Sequence, residues 1–286
     1  MSTRQPLTAL LLTLGLAACA SGPATAPQAN DAIDPATGVP EVRAGVLAGY
    51  LAADQLPDSL ALLPPPPAPG SAGFAHDQAV AQAAYALRDT PRWQQAIIDA
   101  DLDFPQAAGI YTCALGAQIN VWQTPHTYLL LRRLRSDASN ATRAAKNHYQ
   151  RPRPFVVQQQ DICTPEGRDG LAGNGSYPSG HTAIGWAWAL LLTELAPQHS
   201  DALLARGRNY AESRLVCNVH WNSDLVAGRH MASAVIARLH AEPAFQHDLA
   251  AARQELAAQY AKGQPLPEHC ASEASALATP WAVPAL

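Results

Sequence analysis

The sequence predicts an all-α protein with a single compact helical domain, and three observations lead there. Apolar residues recur at spacings of three and four through most of the chain, no stretch alternates with period two long enough to propose a sheet, and the irregular segments gather at the two ends. Val80, Ala83, Ala84 and Leu87 mark one helical face, and Leu130, Leu131, Leu134, Ala138, Ala141 and Ala145 mark a longer one. Further helices are predicted over 181–196, 200–215, 221–241 and 243–261, with breaks at Pro197 and around Asn218. A domain over 41–262 is large enough to bury one core.

The N-terminal segment has its own pattern. Arg4 is the lone charge of residues 1–5, residues 7–16 form an apolar run, and Leu16-Ala17-Ala18-Cys19 closes it. This predicts a secretory signal peptide over 1–18, since the run is too short to span a bilayer as a helix of about 20 residues. The closing residues resemble the lipobox of bacterial lipoproteins, which implies lipidation at Cys19. Ala20 and Ser21 are not acidic, and by the same resemblance point to the outer membrane. The alternative is simple cleavage and a free periplasmic form. Residues 19–40, rich in Ala, Pro, Ser, Gly and Asp, are expected to be a flexible tether. Residues 62–67, Leu-Leu-Pro-Pro-Pro-Pro, form a stiff strap that is either a spacer or packed on the helical body. Residues 263–286, punctuated by Pro265, Pro267, Pro280 and Pro284, are expected to be an irregular tail.

Composition narrows the function. With 48% hydrophobic residues, 15% charged residues and a net charge of −4, the chain has no electrostatic footprint for nucleic acid, so any anion it binds is met locally. Beyond Cys19 the cysteines are Cys113, Cys163, Cys217 and Cys270, an even number in an exported chain, for which two disulfides are expected. Three pairings are open. The favoured one joins Cys163 to Cys217, because each lies beside a motif described next, and leaves Cys113 to Cys270. Closing a loop of that length is worth roughly 4 kcal/mol in the chain-entropy model. No Cys/His cluster with ligand spacing, no HExxH and no paired carboxylates are present, so neither a metal nor another cofactor is expected.

Three clusters carry the chemistry. Lys146 falls near the end of the long Leu/Ala helix, and Pro152 and Pro154 force extended backbone around Arg153. Ser179 and Gly180 precede a helical run, where main-chain amides without intrahelical partners bind anions, and His181 opens that run. Arg214, His220 and Asp224 form the third cluster. If the chain is helical from Trp221, Asp224 lies one turn along from His220 and fixes its tautomer, leaving the other imidazole nitrogen as a nucleophile. Three cations, an anion nest and two histidines suit a site that holds a phosphate and breaks its ester bond. Each cluster alone also has an ordinary reading: a solvated basic pair, an N-cap, a surface ion pair.

Read together, Lys146-x6-Arg153-Pro154, Pro178-Ser179-Gly180-His181 and Ser213-Arg214-x5-His220-x3-Asp224 resemble the three-part signature of the type 2 phosphatidic acid phosphatase superfamily, which also includes vanadium haloperoxidases. The strap at 62–67 and Gly175-Ser176-Tyr177-Pro178-Ser179-Gly180-His181-Thr182 resemble the class A bacterial non-specific acid phosphatases in particular. The likeness covers roughly residues 50–262. It implies an acid phosphatase/vanadium haloperoxidase-like helical bundle, metal-independent hydrolysis of small-molecule phosphate monoesters and frequently a homodimer. By the same resemblance His220 is the nucleophile of a phosphohistidine intermediate, Asp224 orients it and His181 is the general acid. Lys146, Arg153, Ser179, Gly180 and Arg214 hold the phosphoryl oxygens. Phosphotransfer to an alcohol and diphosphate hydrolysis stay open, and any contact with a membrane is expected through Cys19 alone.

Overall fold

The computed structural model describes residues 35–281, together with Met1. The signal peptide, Cys19 and most of the tether lie outside the described residues.

The order of elements follows the apolar periodicity closely. A short antiparallel hairpin, β1 (Glu41–Arg43) and β2 (Val46–Leu47), comes first. The helices are α1 (Ser59–Leu62), α2 (Ala72–Tyr85), α3 (Pro91–Ile98), α4 (Thr112–Leu115), α5 (Pro125–Ala141), α6 (Arg143–Tyr149) and α7 (Pro154–Gln158). They continue with α8 (Arg168–Ala172), α9 (Gly180–Leu195), α10 (Ser200–Val216), α11 (Asn222–Leu239), α12 (Pro243–Lys262) and α13 (His269–Leu277). The fold is all-α apart from the hairpin, which is too short to register as period-two patterning.

Helix α9 is the axis of the bundle, with α5, α10 and α11 packed around it and α12 against α5. Its interior face, including Ala183, Ile184, Ala187, Trp188 and Leu191, is buried, and the Trp188 indole N–H donates to the Leu131 carbonyl on α5 (2.9 Å). Close approach is set by glycines. A side chain at Gly185 would collide with the Tyr210 ring on α10, and one at Gly228 would come within 2.7 Å of the Ser179 carbonyl oxygen. Gly228 therefore lets α11 reach the N-terminus of α9, where two of the predicted clusters meet.

The strap is packed on the body. Leu63 is buried, the Tyr177 hydroxyl donates to the Pro64 carbonyl (2.8 Å), and Ser59 Oγ accepts the main-chain N–H of Ala145 (3.0 Å). Both favoured disulfides form, Cys163–Cys217 and Cys113–Cys270, with Cα separations of 4.7 and 5.4 Å.

Two expectations change. The long Leu/Ala helix is interrupted at Thr142, whose hydroxyl bonds back to the Ser139 carbonyl (2.7 Å), so Lys146 sits on a separate helix, α6. The stretch after 263 is not wholly irregular: α13 forms within it, held by Cys270 and by Glu273, which pairs with Arg206 (3.4 Å). Of the segment 19–40 the described part, from residue 35, forms a turn at 35–38 leading into the hairpin. No helix among the described residues is long and apolar enough to cross a membrane.

Candidate active site

The site is assembled from four chain segments. Gln150, in a left-handed conformation (φ 44°), ends α6 and turns the chain into Arg151-Pro152-Arg153-Pro154. Arg153 is extended (φ −80°, ψ 157°), as the flanking prolines dictate, and stands at the N-terminus of α7. Its Nε donates to the carbonyls of Leu171 (2.8 Å) and Asn174 (3.1 Å), and Nη1 to that of Val219 (2.8 Å), which aims the same nitrogen at His220 Nε2 (3.1 Å). The Trp221 indole N–H fastens this segment by donating to the Pro152 carbonyl (2.8 Å).

His220 and Asp224 meet as the sequence suggested, by a different route. His220 precedes α11, and Asp224 is the third residue of that helix. Its carboxylate folds back over the helix start, accepting the Trp221 main-chain N–H (2.9 Å) and contacting His220 Nδ1 (3.2 Å). The carboxylate accepts and the guanidinium of Arg153 donates, so the imidazole carries its proton on Nδ1 and keeps its Nε2 lone pair toward the cationic side.

Ser179 caps α9, its hydroxyl accepting from Thr182 N–H (3.2 Å), while its own N–H donates to the Asp224 carbonyl (3.0 Å). Gly180 follows, and a side chain there would sit 3.7 Å from the Lys146 stem. Lys146 Nζ donates to the Gly175 carbonyl (2.8 Å). His181 Nε2 lies 3.1 Å from the Ala100 carbonyl, an acceptor, which places the proton on Nε2. Arg214, only 2% exposed, is different: its Nε and Nη1 have no hydrogen-bond partner. A buried guanidinium with unpaired donors is costly and calls for an anion.

Crowded cations depress one another. Burial, then neighbouring Arg153, lowers the Lys146 ammonium to about 7, and burial lowers Arg153 to about 10. Burial and then the surrounding cations push His220 and His181 well below the usual imidazole range. Burial raises the Asp224 carboxyl, against the opposing pull of Arg151.

Two residues of the site were not singled out in the sequence. Arg151 Nη1 donates to Asp224 Oδ1 (2.6 Å) and its Nη2 to Asp77 Oδ2 (2.7 Å), and Asp77 also accepts the Ser223 main-chain N–H (2.8 Å). Arg151 beside Arg153 in the Arg-Pro-Arg-Pro run was one signal. Asp77, a carboxylate on the same α2 face as buried Val80, Ala81 and Ala84, was the other. His148, next to the first cluster in sequence, is exposed against Tyr149 and takes no part. All eight predicted residues other than cysteines, Lys146, Arg153, Ser179, Gly180, His181, Arg214, His220 and Asp224, fall in this one region. Among the described residues the one cluster of three potential metal ligands is Cys113, His269 and Cys270, and both its sulfurs are in the disulfide.

A family model described as the PAP2 superfamily matches residues 128–244, which contain all eight predicted site residues. A non-specific acid phosphatase of Providencia stuartii is 46% identical over 73% of this chain and 84% of its own length. The chain belongs to the class A acid phosphatases of the PAP2 superfamily. Other relatives agree: an acid phosphatase of Zymomonas mobilis is 45% identical over 70% of this chain and 75% of its own length, and a non-specific acid phosphatase of Salmonella typhimurium is 42% identical over 68% and 78%.

Proposed function

We propose that this chain is an acid phosphatase that hydrolyses phosphate monoesters through a phosphohistidine on His220, without a metal ion. The observation that carries the reading is His220, held between an acceptor at Nδ1 and a donor at Nε2 so that its lone pair faces Arg153, with Lys146 and Arg214 near enough to act on its charge. These cations and the first amides of α9 would neutralise the three equatorial oxygens of the transferring group, letting a neutral imidazole approach a dianion.

In the first step Nε2 forms a bond to phosphorus as the ester P–O bond breaks, and His181 passes a proton to the departing alcohol oxygen. In the second, His181 takes a proton from water, whose oxygen displaces the imidazole and yields phosphate. With Nε2–H of His181 engaged by Ala100, Nδ1 is the nitrogen left to carry the exchangeable proton. The imidazole is held neutral chiefly by burial and by Arg214, so it is the arriving dianion, by cancelling that charge, that makes it an acid. Transfer to an alcohol in place of water follows the same second step.

The expected result with p-nitrophenyl phosphate is turnover by the wild type that chelator leaves intact, and a loss of at least about 10⁴-fold in His220→Ala. Acid-quenched mass spectrometry should find phosphate on His220 in the wild type. A quenched enzyme labelled at another residue refutes the mechanism. The same proposal places the enzyme at the periplasmic face of the envelope on a lipid at Cys19, which the mass of the mature N-terminal peptide tests, and as a homodimer, which light scattering tests.

A further inference from the structure

A cleft of about 980 Å³ opens onto the site, and of the signature residues His181 and Arg214 line it. A phosphoryl group seated against the unpaired Arg214 donors leaves its alcohol in this cleft. Its lining includes five apolar side chains, Ile97, Ile98, Leu102, Ile110 and Leu171. Ile97 and Ile98 are exposed, 37% and 59%, which is unusual for isoleucines with nothing covering them. The rim is acidic: Asp101, Asp103, Glu166 and Glu273. Asp103 is balanced by Arg135 (3.3 Å) and Glu273 by Arg206 (3.4 Å), whereas Asp101 and Glu166 are exposed and have no ion pair among the described residues. Helix α13, which packs beside α3, adds His269, Ser272 and Glu273 to the lining and is tied to α4 by Cys113–Cys270.

Resting on the phosphatase reading, we propose that this cleft is a leaving-group subsite selecting phosphate monoesters of apolar alcohols that carry no negative charge, aryl phosphates being the plainest class, and that α13 is the wall that completes it. Apolar packing on the isoleucines favours a flat hydrophobic body. The free carboxylates oppose a second anionic group, as in a phosphorylated hydroxy acid or a bisphosphate.

The test compares kcat/KM for phenyl phosphate, 4-carboxyphenyl phosphate and 4-(aminomethyl)phenyl phosphate in the wild type and in the double variant Asp101→Asn, Glu166→Gln. Leaving-group reactivity is common to both enzymes, so the change in ratio is the readout. The carboxyphenyl-to-phenyl ratio should rise roughly 5-fold in the double variant, in keeping with exposed charge pairs, and the aminomethyl ratio should fall. Separately, Ser272→Trp, at an exposed position of α13, should raise KM for phenyl phosphate while the inhibition constant of inorganic phosphate stays put. Unchanged ratios, or an unchanged KM in Ser272→Trp, overturn the subsite. A wild type that hydrolyses none of the three esters overturns the phosphatase reading itself.

Discussion

Arg151 and Arg214 are both buried guanidiniums in the same polar interior, 6% and 2% exposed, yet they are used in opposite ways. Arg151 bridges two carboxylates, Asp77 on α2 and Asp224 on α11, and reaches the Ser223 hydroxyl (2.7 Å) as well. Arg214 leaves Nε and Nη1 without partners. Saturated donors hold helices together, because a buried charge pair resists any motion that would separate it. Unsaturated donors hold a place for an anion from outside, and the folded chain bears the desolvation cost until that anion arrives. Burial alone does not separate the two roles; the count of satisfied donors does.

The sharpest way to break this comparison is to replace each arginine by methionine. Arg151→Met strands Asp77 and Asp224, and should lose about 3–5 kcal/mol of stability in denaturant unfolding. Arg214→Met removes an unpaired cation, so its stability should match or exceed the wild type while kcat/KM falls about 10²–10³-fold. If both variants lose stability equally, the distinction is wrong.

Asp77→Asn gives a smaller effect that sharpens the same point. It weakens the charged hydrogen bond to Arg151 without touching His220, so about 1–3 kcal/mol of stability should go while kcat keeps most of its value. A drop in kcat as large as that of Arg214→Met would place Asp77 within the chemistry.

The smallest effect is on pH. Lys146 lies near 7 in the unliganded site against an ordinary 10.5, and a bound dianion raises it again. A group whose pKa rises on binding supports binding fully below its free value and less above it. Competitive inhibition by sulfate, whose charge is constant through this range, should therefore hold steady below pH 7 and weaken by up to about tenfold per unit above it. In the unliganded site both imidazoles sit well below this window, and any proton that His181 takes up with the dianion adds a dependence that Lys146→Arg leaves in place. In Lys146→Arg the share of the decline due to Lys146 should vanish; if the full decline persists, another group is titrating.

Much of this was legible in the chain. Helices at 200–216 and 243–262 matched their apolar periodicity to within a residue or two, because a bundle helix must keep one face in the core wherever its neighbours lie. Lys146, Arg153 and Ser179 were identifiable since proline and cap chemistry dictate local backbone. The partner of Asp224 was not, because two arginines two residues apart on extended backbone are equivalent until the fold orients them. Helix α13 was hidden by its flanking prolines, although Cys270, needing a partner, marked it as anchored.

The linear order of residues settled which chemical groups this protein owns and where most of its long helices lie, since helical patterning depends on neighbours within a turn or two. The three-dimensional packing settled which arginine is neutralised and which stays open, that α13 walls the cleft, and that His220 is aimed by a helix start and not a helix face. Those outcomes turn on contacts between segments far apart along the chain, where burial and Coulomb energy are decided by all the segments at once.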